Sequence, residues 1–146
     1  MRSSKAAWVQ GVLLVVVIAA IALALAMRLH RPFDRDTLAI QVAQLQSGAA
    51  EARLLADYAR ADQLAPGFVR QHARQMAEKI ENTNGKLEKA AQPALAGQKT
   101  QAQRLGASLH TRLMLLARGE PPRAAPGFHA TEVALGALHK QLKPAD

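Results

Sequence analysis

At 146 residues the chain is the size of one ordinary domain, and its lack of cysteine excludes disulfides, thiolate metal sites and a cysteine nucleophile. Lys and Arg outnumber Asp and Glu by 19 to 11, a net charge of +8 that favours an acidic partner or anionic lipid headgroups. Nucleic acid is not expected as a partner: the basic residues alternate with acids along the chain, and one Trp, one Tyr and three Phe make no stacking platform.

The chain begins with a short tail, 1–5, carrying Arg2 and Lys5. A run with no charge follows, and its centre from Val12 to Ala26 is unbroken Val, Leu, Ile and Ala. About 20 helical residues cross the roughly 30 Å hydrocarbon layer of a bilayer. The sequence therefore predicts a single transmembrane helix over 6–31, with Trp8 near one end and Arg28, His30 and Arg31 closing the other. A cleaved signal peptide is the alternative, because Ala24-Leu25-Ala26 fits the small-x-small cleavage pattern. Flanking charge does not decide orientation, since Arg2 and Lys5 oppose Arg28, Arg31 and Arg35. A very short tail before a long anchor is a signal-anchor layout. The expectation is therefore a single-pass protein of a bacterial-type inner (plasma) membrane, with 32–146 on the extracytoplasmic (periplasmic) side.

Four helices are predicted within 32–146. The first spans 34–63, capped by Asp34 or Asp36. Its seam is Leu38, Val42, Leu45, Ala49, Ala52, Ala56 and Ala59, spaced four and three alternately as in helices packed lengthwise. The second spans 66–91 and starts at Pro66. Its seam is Val69, Ala73, Met76, Ile80, Thr83, Leu87 and Ala90, with a weak spot expected at 82–85, where Asn and Gly are poor helix formers. The third, 93–117, buries Leu95, Ala102, Leu105, Leu109, Leu113 and Leu116. A Pro- and Gly-rich loop over 118–127 precedes the fourth, 127–142, which turns Phe128, Thr131, Leu135, Leu138 and Leu142 inward.

Each helix has one apolar stripe, which it must bury against the others. Short connections make sequential helices antiparallel. The predicted fold class is all-α: one transmembrane helix, then an antiparallel up-down four-helix bundle with coiled-coil-like seams. The alternative is a three-helix bundle with a loosely docked last helix. A faint repeat runs through it: Ala65-Pro66-Gly67-Phe68 returns as Ala125-Pro126-Gly127-Phe128. It reads either as a duplicated helical hairpin or as a common Pro-Gly turn whose Phe plugs the core, and on both readings the segments are corners between antiparallel helices. In architecture alone, the layout resembles the extracytoplasmic helical bundles of bacterial chemoreceptors and sensors. That resemblance implies a signal passed through a partner chain.

Enzyme motifs are absent: there is no phosphate loop, no Gly-x-Ser-x-Gly elbow and no His-Glu-x-x-His pair. Glu51, Asp57, Asp62, Glu78, Glu81 and Glu88 lie mostly off the seams and read as solvated helix faces. The candidate ligands are His72 with Met76 and His110 with Met114, each pair four residues apart on one helix. Imidazole and thioether together suit copper(I) or haem iron, provided the hairpin brings His72 and His110 to one height. The competing reading places Met76 in the core as a gap filler and the histidines at wet flanking positions. His129 and His139 are expected on the surface. Arg70, Arg74, Lys79 and Lys86 can face an acidic partner. The sequence thus favours a non-enzymatic accessory, scaffold or partner-binding subunit at the membrane surface, with no resident cofactor. That subunit would work with a protein partner or as a homo-oligomer. The alternative is a small-ligand or metal-binding module.

Overall fold

A computed structural model describes residues 16–23, 34–88, 92–120 and 125–143, and the chain divides into two units, Met1–Pro32 and Phe33–Asp146. In the first unit, 16–23 are helical and exposed. Among the described residues no helix is long and apolar enough to cross a membrane. The expected single-pass inner-membrane localisation is corrected on that finding. The remainder of the span predicted over 6–31 lies outside the described residues. The longer helices of the second unit are apolar on one face only and carry charges along the other, so they belong to a bundle.

The second unit is a helical bundle, with no strand among its described residues. Helix α1 is Arg35–Arg60, α2 is Pro66–Lys86, α3 is Ala96–Ala117 and α4 is Ala125–Leu142. Asp34 caps α1 by accepting the Thr37 backbone N–H at 2.8 Å. The α1 seam is buried from Leu38 to Ala56, with Ala59 packed against it; Gln41, Gly48 and Leu55 are buried too. In α2 the expected seam from Val69 to Leu87 is buried. Thr83 fits that seam because its hydroxyl donates to the Lys79 carbonyl at 3.0 Å.

Four boundaries differ from expectation, the first being that α1 ends at Arg60 and not at Gln63. Helix α2 runs unbroken through 82–85 but stops at Lys86; 89–91, including the expected seam residue Ala90, lie outside the described residues. Asn84, inside that stretch, ties it to α3 by donating to the Gln103 carbonyl at 3.4 Å. Pro93–Leu95 form a tighter 3-10 turn, and α3 proper begins only at Ala96. Helix α4 begins at Ala125, two residues early. Leu105, expected in the α3 seam, is only partly buried, whereas Ala102, Leu109, Leu113 and Leu116 are buried.

Cross-helix contacts fix the arrangement. Arg35 at the start of α1 donates to the Leu142, Gln141 and Lys143 carbonyls at 2.9, 2.7 and 3.3 Å, while Arg53 further along meets Glu132 at 3.4 Å. α1 and α4 therefore run antiparallel. Likewise Gln103 donates to the Leu87 carbonyl at 3.2 Å and His110 lies 4.0 Å from Glu81, so α2 and α3 are antiparallel too. These two pairs pack most extensively. α1 meets α2, and α3 meets α4, along narrower seams. One pole of the unit gathers the start of α1, the end of α2, the start of α3 and the end of α4. The opposite pole carries the α1–α2 corner, the end of α3 and the start of α4.

Candidate functional site

The two copies of the Ala-Pro-Gly-Phe corner have opposite fates. Phe128 is 0% exposed and sits in the core, as expected; Phe68 is 52% exposed and does not. The difference is one residue of helical phase. In α4 the Phe itself is the first seam position, followed by Thr131 and Leu135; in α2 the seam starts one residue later, at Val69, followed by Ala73 and Met76. Phe68 is therefore turned onto the outside of α2, where its ring stacks on His72 with centroids 5.5 Å apart. His72 Nε2–H donates to Glu51 Oε1 on α1 at 3.1 Å.

That bond links two outward stripes. On α1, Ile40, Gln44, Ser47, Glu51, Leu54 and Tyr58 recur at spacings of four and three, so they share one face away from the buried seam. On α2, Phe68, His72, Gln75, Lys79, Asn82 and Lys86 do the same. Toward the Ile40 end the surface carries an open polar recess, lined by Gln44 of α1 and by Gln75, Glu78, Lys79, Asn82, Thr83 and Lys86 of α2; the shallow α1–α2 groove runs on past it between the stripes. Each stripe covers 19 residues, about 27 Å of helix. The apolar side chains Leu54, Tyr58 and Phe68 are exposed at one end, Ile40 is exposed at the other, and the basic pair Lys79 and Lys86 lies toward the Ile40 end. Among the described residues neither lysine forms an ion pair.

The four candidate metal ligands are dispersed. Met76 is buried in the α2 seam and Met114 is partly buried against the core. His72 faces Glu51 on α1, whereas His110 faces Glu81 on α2. Since His110 is level with Glu81, nine residues along α2 from His72, the two imidazoles stand about 13 Å apart along the bundle. The two imidazoles are not at equal heights because the pairs Leu87–Gln103 and Glu81–His110 centre the hairpin near Leu95, and a common level would need a centre near residue 91. Among the described residues, no three of His, Cys, Asp and Glu gather as a metal would need.

One further placement differs from the sequence reading. His139 is not a plain surface residue: it is partly buried, with its Nδ1 enclosed and unpartnered in the structure. Glu132 and Arg53 form a partly buried pair between α4 and α1, and Arg53 Nη1 lies 3.4 Å from His129 Nδ1. At 3.4 Å, Arg53 Nε and Glu132 Oε2 are close enough to attract but are not aligned as a hydrogen bond. Phe68 and Tyr58 were missed as functional candidates. The available signal was the phase of the α2 seam, which already excludes Phe68 from the core. Comparison with protein-family models, curated proteins and solved structures finds no match for the chain.

Proposed function

We propose that the chain is a non-enzymatic binding module, an accessory or scaffold subunit whose α1–α2 groove receives an amphipathic helix of a partner protein. In this reading the up-down four-helix arrangement is a rigid support, and the groove between two heptad-spaced stripes is the working surface. The observation that carries the reading is the pair of stripes itself. Two helices displaying residues at alternating spacings of four and three offer a third helix the holes it needs. Exposed Leu54, Tyr58 and Phe68 supply apolar anchors at one end, and aromatic residues are favoured at such centres of binding energy. Lys79 and Lys86 select acidic residues toward the other end. A partner helix of about 18 residues fills the length.

The test uses a labelled helical peptide with leucines at heptad positions a and d and glutamates at e and g. Fluorescence anisotropy against the full chain is expected to show saturable, salt-sensitive binding. Phe68→Ala is expected to weaken it about tenfold, Lys79→Glu to remove its salt dependence, and Val133→Ala on α4 to leave it unchanged. Equal binding by all three variants would refute the proposal. So would a concentration-dependent dimer in sedimentation that Phe68→Ala dissolves, since a second copy would then be the occupant.

A further inference from the structure

At the corner pole, on a part of the surface that shares no residue with the groove, the chain leaves α1 and re-enters at α2 beside the end of α3. Two backbone positions shape this corner. Asp62 has φ of 53° and Gly119 φ of 81°, both in the left-handed region. Glycine takes that conformation freely, and Asp is among the few other residues that tolerate it. Between the two turns lies a half-open cavity of about 150 Å³. Its walls include Leu64, Val69 and Leu116, and its remaining lining includes Arg70, Asp62 and Glu120. Val69 and Leu116 are core side chains, so the apolar wall is held by the bundle. A Cβ on Gly119 would meet the Arg70 Cδ at 3.7 Å, an ordinary contact, so it is the backbone conformation and not space that calls for glycine there.

The charges around this cavity do not satisfy one another. Among the described residues, Arg70, Asp62 and Glu120 form no ion pair and no side-chain hydrogen bond. One guanidinium and two carboxylates, on separate segments, thus line a small apolar recess. A guanidinium takes a carboxylate, by two parallel hydrogen bonds in the best case. Two carboxylates take an ammonium. The recess volume suits a side chain of a few carbons: a cavity of similar size accepts a benzene-sized ligand. From this combination we infer that the α1–α2/α3 corner binds a small aliphatic α-amino acid. Its carboxylate lies on Arg70, its ammonium lies between Asp62 and Glu120, and its side chain lies against Leu64, Val69 and Leu116. Leucine is the natural probe, because it carries both charges and a branched side chain of fitting size. Most of the ligand's contacts are solvent-facing, so the binding is weak, with a Kd on the order of 1 mM for about nine heavy atoms.

The test is a titration of the full chain with L-leucine, followed by amide chemical shifts. Isoamylamine and isovalerate serve as single-charge comparators. Saturable shifts are expected at 62–70 and 116–120, with leucine binding more tightly than either comparator. Arg70→Gln is expected to weaken leucine about tenfold and leave isoamylamine unchanged. Asp62→Asn with Glu120→Gln is expected to weaken leucine and isoamylamine alike. All three positions are exposed, and an unchanged thermal melt confirms that each variant is folded. The inference is overturned if leucine gives no saturable shift, or if the shifts map to the α1–α2 groove. It is also overturned if Arg70→Gln leaves leucine affinity intact.

Discussion

Gly48 and Ile80 offer a quantitative test of how closely α1 and α2 approach. A Cβ built on Gly48 would fall 2.6 Å from Ile80 Cδ1, with Ile80 Cγ1 at 3.7 Å and Leu109 Cδ2 at 4.0 Å. Replacing a mid-helix Gly by Ala normally stabilises by about 1 kcal/mol. Here the added methyl meets a side chain that is only 2% exposed, so the δ-methyl has little free space to enter. Overpacking of that kind costs about 1–3 kcal/mol. Gly48→Ala is therefore expected to be neutral to destabilising by about 2 kcal/mol. Ile80→Val deletes the offending Cδ1 and alone costs about 0.5–1.5 kcal/mol. In the double variant the new methyl meets only atoms at ordinary contact distance, and the helix gain is recovered. The cycle should show a favourable coupling of about 1–3 kcal/mol. Urea denaturation followed by far-ultraviolet circular dichroism measures all four proteins. Additivity of the single changes within about 0.5 kcal/mol would mean that the two helices are not in the described contact.

Two further expectations concern the first turn of α1. Arg35→Ala removes three hydrogen bonds to the last carbonyls of α4 and one positive charge at that helix's negative end. Because the side chain is largely exposed, the loss is expected to be about 1 kcal/mol. Faster amide exchange in the last turn of α4, with other regions unchanged, would localise it. Hydrogen bonds from Thr37, the side chain first and the backbone N–H second, hold the Asp34 carboxyl below the ordinary carboxylate range. A depressed folded-state value means that this contribution is complete above about pH 4 and is lost as pH falls through the lower folded value. Asp34→Asn keeps a capping side chain but cannot titrate, so its urea midpoint should fall less steeply below pH 4 than that of the parent.

The buried seams were legible because each is a periodic apolar stripe, and periodicity survives any detail of packing. Leu38 to Ala56, Val69 to Leu87 and Phe128 to Leu142 are all buried on the faces their spacing indicates. The levels of the helices relative to one another were not legible, since they depend on a connection whose path no stripe encodes. That is why the condition on which the metal reading rested, His72 and His110 at one height, could not be checked from the stripes, and the two stand at different levels. The fate of Phe68 was readable in principle, but the repeated corner motif outweighed the phase of the seam. The apolar run at 6–31 satisfies a composition rule for a membrane span, yet no described helix meets the length and hydropathy that a span requires. The cavity at the corner pole depends on two left-handed residues in two distant turns, a combination that no local pattern announces.

The Arg35 clasp has a topological consequence. It holds the first turn of α1 beside the last turn of α4, so the path through the second unit departs from almost the same spot at which it arrives. A unit with that property can be spliced into a surface loop of another protein without prying the host apart. By the same geometry, a short bridge between its two ends, with new ends opened in the α2–α3 connection, preserves every helix pairing.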